Sequence, residues 1–320
     1  MSEIDPKRKY RSILGGSALI LFLLFFLQEV VKAELLGPLV TDNAEKVEFV
    51  GPLVTDTAEP LEEYQFSFQA TTSLFIKQGR YDQEGALKYS PSGDREYQWA
   101  TILKPYYGLF ENFEVSAEFP LRYNWVTQNG RSAQDGGIGD ILIGGKYRFV
   151  ENDNNGPRPS ISGIAKIKFP TGKYERLAED RLGADQTGNG SYEYTVGVDV
   201  SKFWRNWSLH GNLWYDWVAE TTIDGIKTKP GNIFYYDLAV ERSLTAHWTA
   251  LVELNGWEQG RTERDNRMVD KSEARSLSML PALEWNLSKK AFIILGCSIP
   301  ILGKNTDYGF TPTFQFNYFF

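Results

Sequence analysis

The sequence contains very little cysteine and histidine. It has one cysteine, Cys297, and two histidines in 320 residues. A single cysteine cannot form an intrachain disulfide, so a disulfide-stabilised scaffold is excluded. A cysteine-rich zinc site is excluded for the same reason, and two histidines leave little for any other transition-metal site. We therefore expect neither a metal nor a cofactor.

The chain also lacks an excess of basic residues. Lys and Arg total 34 and Asp and Glu total 41, which gives a formal net charge of -7. Because nucleic-acid binding depends on a basic surface, no nucleic-acid partner is expected. What the chain has in quantity is aromatic residues, with 20 Phe, 17 Tyr and 9 Trp. Disordered chains are poor in such residues, so a disordered protein is not expected.

Residues 1–33 follow the order of a secretory signal peptide. Basic residues lie within 1–11, and an uncharged stretch rich in Leu and Phe runs from Ser12 to Gln28. Small or branched residues occupy the cleavage positions in 31–33. Since the uncharged stretch is slightly shorter than the ~20 residues that span a bilayer, we predict export and cleavage after Ala33 rather than a retained anchor.

Residues 34–63 are predicted to be an acidic periplasmic leader that carries a duplicated motif. The sequence Gly-Pro-Leu-Val-Thr-Asp occurs at 37–42 and again at 51–56. Its Gly-Pro starts favour short extended or turn units over helices. Two interpretations stay open. The leader either hangs loosely in the periplasm or tucks into a pore as a plug, and the plug would use Gly37, Pro38, Asp42, Gly51, Pro52 and Asp56.

From Tyr64 onward, apolar and polar residues alternate with a period of two, which places the two sets on opposite faces of a strand. Tight turns alternate with polar loops of a dozen or more residues, as in outer-membrane barrels. The fold class is therefore predicted to be all-β, a transmembrane antiparallel barrel of about twelve strands over 64–320. The predicted strands are 64–77, 96–110, 113–126, 138–150, 158–170, 190–203, 206–219, 231–243, 246–258, 273–287, 290–301 and 309–320.

The aromatic residues of the predicted strands fall at two kinds of position. Many lie at strand ends, where they would form the interfacial girdles of a barrel facing outer-membrane lipid and lipopolysaccharide. Others alternate along the last strand. Phe316, Tyr318 and Phe320 resemble the signal that the barrel-assembly machinery reads, so that machinery is predicted as a partner during biogenesis.

Four short stretches resemble a known family. They are 52–56, 137–141 with the following Lys146-Tyr147-Arg148, 169–172 and 207–213. In order and spacing they are similar to the outer-membrane family named for the MetA pathway of phenol degradation, over most of 52–320. The resemblance implies passage of small organic solutes across the outer membrane, with aromatic compounds as one candidate class. The extra copy at 37–42 departs from the family pattern.

Strand parity predicts the side chains that would line a lumen. Bases lie on the third to fifth strands and acids on the sixth to ninth, so one wall would be basic and the facing wall acidic. The predicted pore-lining residues are Lys104, Arg122, Lys146, Arg148, Lys166, Lys168, Glu193, Asp199, His210, Asp216, Asp237, Glu241 and Glu253. Rings near the mouth are predicted to add affinity for a solute, namely Trp99, Tyr106, Tyr97 and Trp257.

Two other function classes stay open. An outer-membrane phospholipase needs Ser, His and an orienting group together on the membrane-facing surface. His210 points inward by its parity and His247 lies in a turn, so no catalytic residue is assigned. A structural barrel without transport is the other class.

Overall fold

The alternating sequence folds into long strands throughout the part of the chain that the computed structural model describes, residues 51–153 and 156–320. Within those residues we number twelve barrel strands. They are β1 Phe66–Tyr81, β2 Arg95–Phe110, β3 Phe113–Gln128, β4 Ile141–Val150, β5 Ser160–Phe169, β6 Glu193–Trp204, β7 Trp207–Val218, β8 Ile233–Ser243, β9 Trp248–Gln259, β10 Ala274–Asn286, β11 Ala291–Lys304 and β12 Asp307–Phe319.

Short elements decorate the loops. The strand Arg131–Ile138 extends the barrel wall, and a 3₁₀ helix occupies Glu179–Arg181. Five further short strands are Leu87–Tyr89, Thr221–Ile223, Ile226–Lys229, Glu263–Arg264 and Arg267–Met268. In the described ranges, no helix has the length and apolar character needed to cross a membrane.

Each barrel strand pairs antiparallel with the next one along the chain, and the sheet closes on itself. Closure is made by β12 against β1, in a register that runs from Ser67 opposite Phe319 to Arg80 opposite Asp307. A closed sheet has no unpaired edge, which is what allows strands to exist in a membrane. The prediction of an all-β, twelve-stranded antiparallel barrel is confirmed.

The fourth predicted strand, 138–150, differs from the structure. The strand is interrupted at Gly139-Asp140. The segment before the break, Arg131–Ile138, pairs with residues 121–128 of β3, and β4 after the break pairs with residues 113–118. Asp140 is buried there, and its carboxylate accepts hydrogen bonds from a long loop. The break therefore coincides with the position at which the loop is attached to the barrel wall.

The two faces of the sheet have opposite character. Large apolar side chains stand exposed on the outer face, including Phe119, Leu121, Phe149, Val196, Val198, Leu213 and Leu295. Buried side chains of the inner face are largely polar or charged, including Glu114, Lys146, Asp199, His210, Asn212, Glu241 and Glu253. A water-soluble protein has the reverse arrangement, and this one is typical of a transmembrane barrel.

The two ends of the barrel differ in their connections. Strands are joined at one end by tight turns, as at 111–112, 205–206 and 287–290, and at the other by long segments, as at 170–192 and 260–273. We call these the inner and the outer end, because short turns face the periplasm in such barrels. Residues 51–65 enter at the inner end, where the Tyr64 amide donates to the Gly108 carbonyl at 2.7 Å.

Candidate functional site

The lumen contains a piece of the chain that precedes β1. We call residues 51–63 the leader segment. Leu53, Thr55 and Ala58 of this segment are buried. Their partners are inward-facing side chains of strands on several sides of the barrel, as described next. The leader segment therefore lies across the lumen rather than beside the barrel.

Glu253 of β9 holds the leader segment by its backbone. The carboxylate accepts hydrogen bonds from the amide nitrogens of Leu53 at 2.7 Å, Val54 at 3.1 Å and Thr55 at 2.7 Å. The Thr55 hydroxyl adds a fourth at 2.8 Å. Consecutive amides directed at one anion form a nest, and charge-assisted bonds of this kind are stronger than neutral ones.

Asp56 holds the opposite wall by its side chain. Its Oδ1 lies 2.8 Å from Nζ of Lys146, and its Oδ2 lies 3.9 Å from Nζ of Lys166. The backbone of Asp56 also exchanges two hydrogen bonds with the Asn212 amide, at 2.7 and 2.9 Å. Burial by itself would raise the pKa of Asp56. The ammonium groups of Lys146, Lys104 and Lys166 outweigh it and hold that pKa well below its usual range.

Nearer the inner end, the leader segment is fixed by β4, β5 and β6. The Ala58 amide donates to the Ser201 hydroxyl at 2.8 Å, and the Ser162 hydroxyl donates to the Ala58 carbonyl at 2.5 Å. Glu59 forms an ion pair with Arg148. Both polar groups of the Ala58 backbone are thus satisfied although the residue is fully buried.

Leu53 gives the leader segment an apolar anchor. It packs in a buried cluster with Leu251, Leu280 and Ile294. Gly296 leaves the room for it, because a Cβ at that position would lie 2.7 Å from a Leu53 methyl group. The leader segment is therefore held by three carboxylates, Glu253, Asp56 and Glu59, by the backbone hydrogen bonds of Ala58 and by one hydrophobic contact.

The predicted pore-lining residues lie on the inward-facing side of the barrel strands, and several of them form ion pairs. Lys104 lies 3.0 Å from Glu118, and Lys168 forms an ion pair with Glu193. Lys146 is 3.8 Å from Asp199. Of the predicted set, Lys146, Glu193, Asp199, His210, Asp216, Glu241 and Glu253 are buried, and Lys104, Arg122, Arg148, Lys166, Lys168 and Asp237 are half-buried. Their role in lining a conducting pore stays a prediction.

His210 lies in a buried polar cluster. Its Nδ1 is 2.8 Å from the Ser201 hydroxyl, and its Nε2 is 3.0 Å from the Ser208 hydroxyl and 3.4 Å from Oε2 of Glu241. All four side chains are buried, and Ser201 already binds the leader segment. Serine, histidine and a carboxylate are together here, in a cluster that is almost fully buried.

Trp214 is an inward-facing ring that we did not select from the sequence. Nζ of Lys166 lies 3.8 Å from the centre of its ring, which is a cation–π contact, and its indole N–H donates to Asp199 at 2.7 Å. Trp214 has the same strand parity as Asn212 and Asp216, which also point inward. Of the rings predicted near the mouth, Trp99 is 41% exposed on the lipid-facing side. Tyr97 shares the outward parity, whereas Tyr106 and Trp257 share the inward one.

A long loop, 170–192, folds over the outer end. The two carboxylate oxygens of Asp140 accept the amides of Gly172 at 3.0 Å and Asn189 at 2.8 Å. The side-chain amide of Asn124 donates to the Ala184 carbonyl at 2.8 Å. The partners of Asp140 thus belong to a loop far from it in sequence, and their hydrogen bonds attach that loop to the barrel wall.

Between this loop and the wall lies a cavity of about 470 Å³ that opens at the outer end. Its lining is polar and includes Lys77, Asp94, Glu96, Gln98, Arg122 and Asn124. Arg122 makes no ion pair with any residue that the structure describes, and it borders this cavity. Elsewhere in the described ranges, no group of three or more His, Cys, Asp or Glu side chains is arranged to hold a metal ion.

The predicted assembly signal forms part of the closing seam. The rings of Tyr318 and Phe320 are 4.8 Å apart, and those of Phe66 and Phe320 are 5.0 Å apart. The Phe320 amide donates to the Phe66 carbonyl at 2.9 Å, and its side chain is 63% exposed. Phe316 lies opposite Ala70 in the same pairing. Recognition of these residues by an assembly machinery stays a prediction.

Comparisons with known proteins agree with this architecture. The model of the family described as "Putative MetA-pathway of phenol degradation" matches residues 65–318. The chain is similar to the crystal structure of the COG4313 outer membrane channel from Pseudomonas putida F1, with a TM-score of 0.71 and 13% identity over 85% of this chain and 100% of that one. No curated protein matches the sequence.

Two further solved structures are more distant. The toluene transporter TodX of P. putida has a TM-score of 0.42 and 8% identity, covering 82% of this chain and 91% of that one. The CymD monoaromatic hydrocarbon channel has a TM-score of 0.46 and 8% identity, covering 81% and 88%. At these levels they carry no argument about a substrate. The first structure establishes that the fold of an outer-membrane channel is shared.

Proposed function

Because the chain belongs to the family described as "Putative MetA-pathway of phenol degradation", we propose that it is an outer-membrane channel for passive or facilitated uptake of small organic solutes. The observation that carries this is the contrast between the two faces of the closed sheet. Exposed apolar side chains cover the outside, and charged side chains fill the inside. Such an interior suits a water-containing passage and does not resemble a packed apolar core.

The leader segment is the part of this channel that we propose to control passage. It crosses the lumen from the β9 side to the wall of β4 and β5, through Glu253 on one side and Lys146 on the other. A solute that moves from the outer cavity to the inner end has to pass it or displace it. The residues of the first motif copy, Gly37, Pro38 and Asp42, lie outside the described residues.

The proposed location and partners follow from the surface. The exposed apolar band would contact outer-membrane lipid and lipopolysaccharide, and Phe316, Tyr318 and Phe320 would present the assembly signal. Export by a signal peptide cleaved after Ala33 belongs to the same proposal. Residues 1–33 lie outside the described residues.

A phospholipase is not favoured by the structure. His210 is buried inside the wall, and His247 lies in an inner-end turn with its Nδ1 3.3 Å from the Asn286 carbonyl oxygen. Neither histidine is placed to activate a serine at the lipid-facing surface. We expect the purified barrel to hydrolyse no lipid esters. We also expect His210→Ala to leave the measured rate of hydrolysis unchanged.

Liposome swelling tests the channel and the plug together. The mature chain and a version lacking 34–59 are reconstituted at equal protein content, and swelling is followed with a series of neutral solutes of increasing size. We expect slow swelling with the mature chain and faster swelling with the truncated one. Equal rates would reject a plugging role for the leader, and no swelling with either protein would reject the channel.

A further inference from the structure

We propose that the place occupied by the Asp56 carboxylate is a binding site for the carboxylate of a small organic acid, and that such acids displace the leader segment from the lumen. The inference rests on the proposed channel function and names its solute class. It assigns Asp56 the role of a tethered competitor, a carboxylate of the protein itself held where a solute carboxylate would bind.

The first support is the cationic surrounding of Asp56. Two ammonium groups approach it, Lys146 at 2.8 Å and Lys166 at 3.9 Å. Within the part of the chain that the structure describes, no other carboxylate lies within 4.0 Å of Nζ of Lys166, and Lys146 keeps only Asp199 at 3.8 Å. Withdrawal of Asp56 would leave the buried Lys146 and the half-buried Lys166 short of counter-charge. Because removing one partner of a buried ion pair is strongly unfavourable, an incoming anion is favoured at this point.

The second support is the chemistry beside the cations. The ring of Trp214 lies against Lys166, at 3.8 Å from its Nζ, and the bond from its indole N–H to Asp199 fixes the ring in place. The side-chain NH2 group of Asn212 donates to the Asp56 carbonyl and also to Asp199, so one of its two N–H groups becomes available when the leader leaves. Ammonium groups, an aromatic face and a free N–H together suit an aromatic or similar acid. A neutral solute of the same shape would leave the two cations uncompensated.

The third support is the approach from outside. Arg122 lines the outer cavity, and Glu118, which pairs with Lys104, lies deeper on the same face of β3. Side chains two residues apart on a strand share a face, at a rise of ~3.3 Å per residue. An anion in the outer cavity thus meets Arg122 first and then the Lys104–Glu118 ion pair before it reaches Lys166. Local potentials of this kind attract and orient charged solutes.

Single-channel recording on the mature chain in planar bilayers tests the site, with benzoate and benzamide as a pair that differs in charge and hardly in shape. We expect added benzoate to raise the fraction of time in the open state several-fold in a saturable manner, and benzamide to leave it unchanged. By calorimetry in detergent, Asp56→Asn should bind benzoate at least tenfold more tightly than the unmodified chain, because the tethered competitor is gone.

Variants of Lys166 separate a local site from a general effect of charge. Lys166→Met should abolish the benzoate response, and Lys166→Arg, which keeps the charge, should restore it in part. Lys271→Met is the matched control, because Lys271 pairs with Glu84 in the exposed outer loops. Equal responses to benzoate and benzamide would overturn the inference, as would an equal loss in both methionine variants.

The same preparations keep the inference distinct from the channel function. Swelling of liposomes in neutral solutes reports passage alone. If neutral solutes pass but benzoate does not change the open fraction, the carboxylate site is rejected and the channel function is retained. If no solute passes in any variant, both the channel and the site are rejected.

Discussion

The Nζ of Lys146 lies 2.8 Å from Oδ1 of Asp56, a residue 90 positions earlier in the chain. This contact joins the leader segment to the barrel wall in a place that water hardly reaches. Lys146 also donates to the Thr57 carbonyl at 2.5 Å. One ammonium group therefore binds two oxygens of the leader segment. Substitution of Lys146 or Asp56 is accordingly the most direct way to weaken the binding of the leader segment to the wall.

Lys146→Met is expected to weaken leader docking. Breaking one side of a buried ion pair costs ~3–5 kcal/mol when the remaining charge stays buried, and less here because Asp56 can leave the lumen. We expect faster proteolysis within the leader segment and a higher open fraction in bilayer recordings. The double variant Lys146→Met/Asp56→Asn is the control. Effects that simply add would show that the two side chains do not interact.

Glu253→Gln is expected to release the other attachment. The carboxylate accepts three backbone amides and a hydroxyl, and hydrogen bonds to a charged group contribute ~1.5–3 kcal/mol each in net terms. The neutral amide keeps the shape and loses the charge. Hydrogen exchange of the Leu53, Val54 and Thr55 amides should become at least tenfold faster. Unchanged protection at these amides would contradict the nest.

Mild acid should leave the Asp56 contact intact. The folded pKa of Asp56 lies well below its usual range, so the stabilisation is present above the unfolded value of ~3.9 and is lost only as pH falls through the lower, folded value. We expect the difference in open fraction between the unmodified chain and Asp56→Asn to be the same at about pH 7 and about pH 5. A difference that vanishes near pH 5 would show that Asp56 is not held by the lysines.

Asp140→Ala should free the outer loop. Its two carboxylate oxygens accept the Gly172 and Asn189 amides, and a buried group left without its partner costs ~1–3 kcal/mol. Limited proteolysis of reconstituted protein should then cut within 170–192. Asp265→Ala is the control, because Asp265 is exposed in another outer loop and accepts from the Lys227 amide, outside 170–192. Equal resistance of Asp140→Ala and the unmodified chain would show that the loop is held by other bonds.

Glu284→Leu should be neutral or stabilising. This side chain is 1% exposed, and both of its oxygens lack a hydrogen-bond partner in the described part of the chain. An unpaired buried carboxylate disfavours the folded state, and its replacement by an apolar side chain removes that cost. Thermal unfolding in detergent should show an equal or higher midpoint. A clear decrease would mean that Glu284 makes an interaction that this structure does not hold.

The barrel could be predicted from the sequence because each strand faces lipid on one side and a polar lumen on the other. That contrast produces the period of two, and the parity of Glu253 or Lys146 follows from it. The break at Gly139-Asp140 could not be predicted in the same way, since the partners of Asp140 lie 32 and 49 residues away.

The candidate site was only partly accessible from the sequence for a related reason. Parity places Lys146 and Lys166 inward but does not say which carboxylate they meet. The repeat marked Asp56 as noteworthy without its partner. Trp214 has the same inward parity as Asn212 and Asp216, but the polar pattern used to select lumen residues does not include an aromatic ring.

The closing seam has a consequence for how the chain reaches this state. Ser67 pairs with Phe319 and Arg80 with Asp307, so the last pairing joins strands separated by nearly the whole barrel sequence. Contacts of such long sequence separation form slowly. Until β12 arrives, β1 and β11 each present a bare edge that can pair with another chain. The interval before sealing is therefore the stage at which misassembly competes with folding, and shielding of those two edges decides the yield.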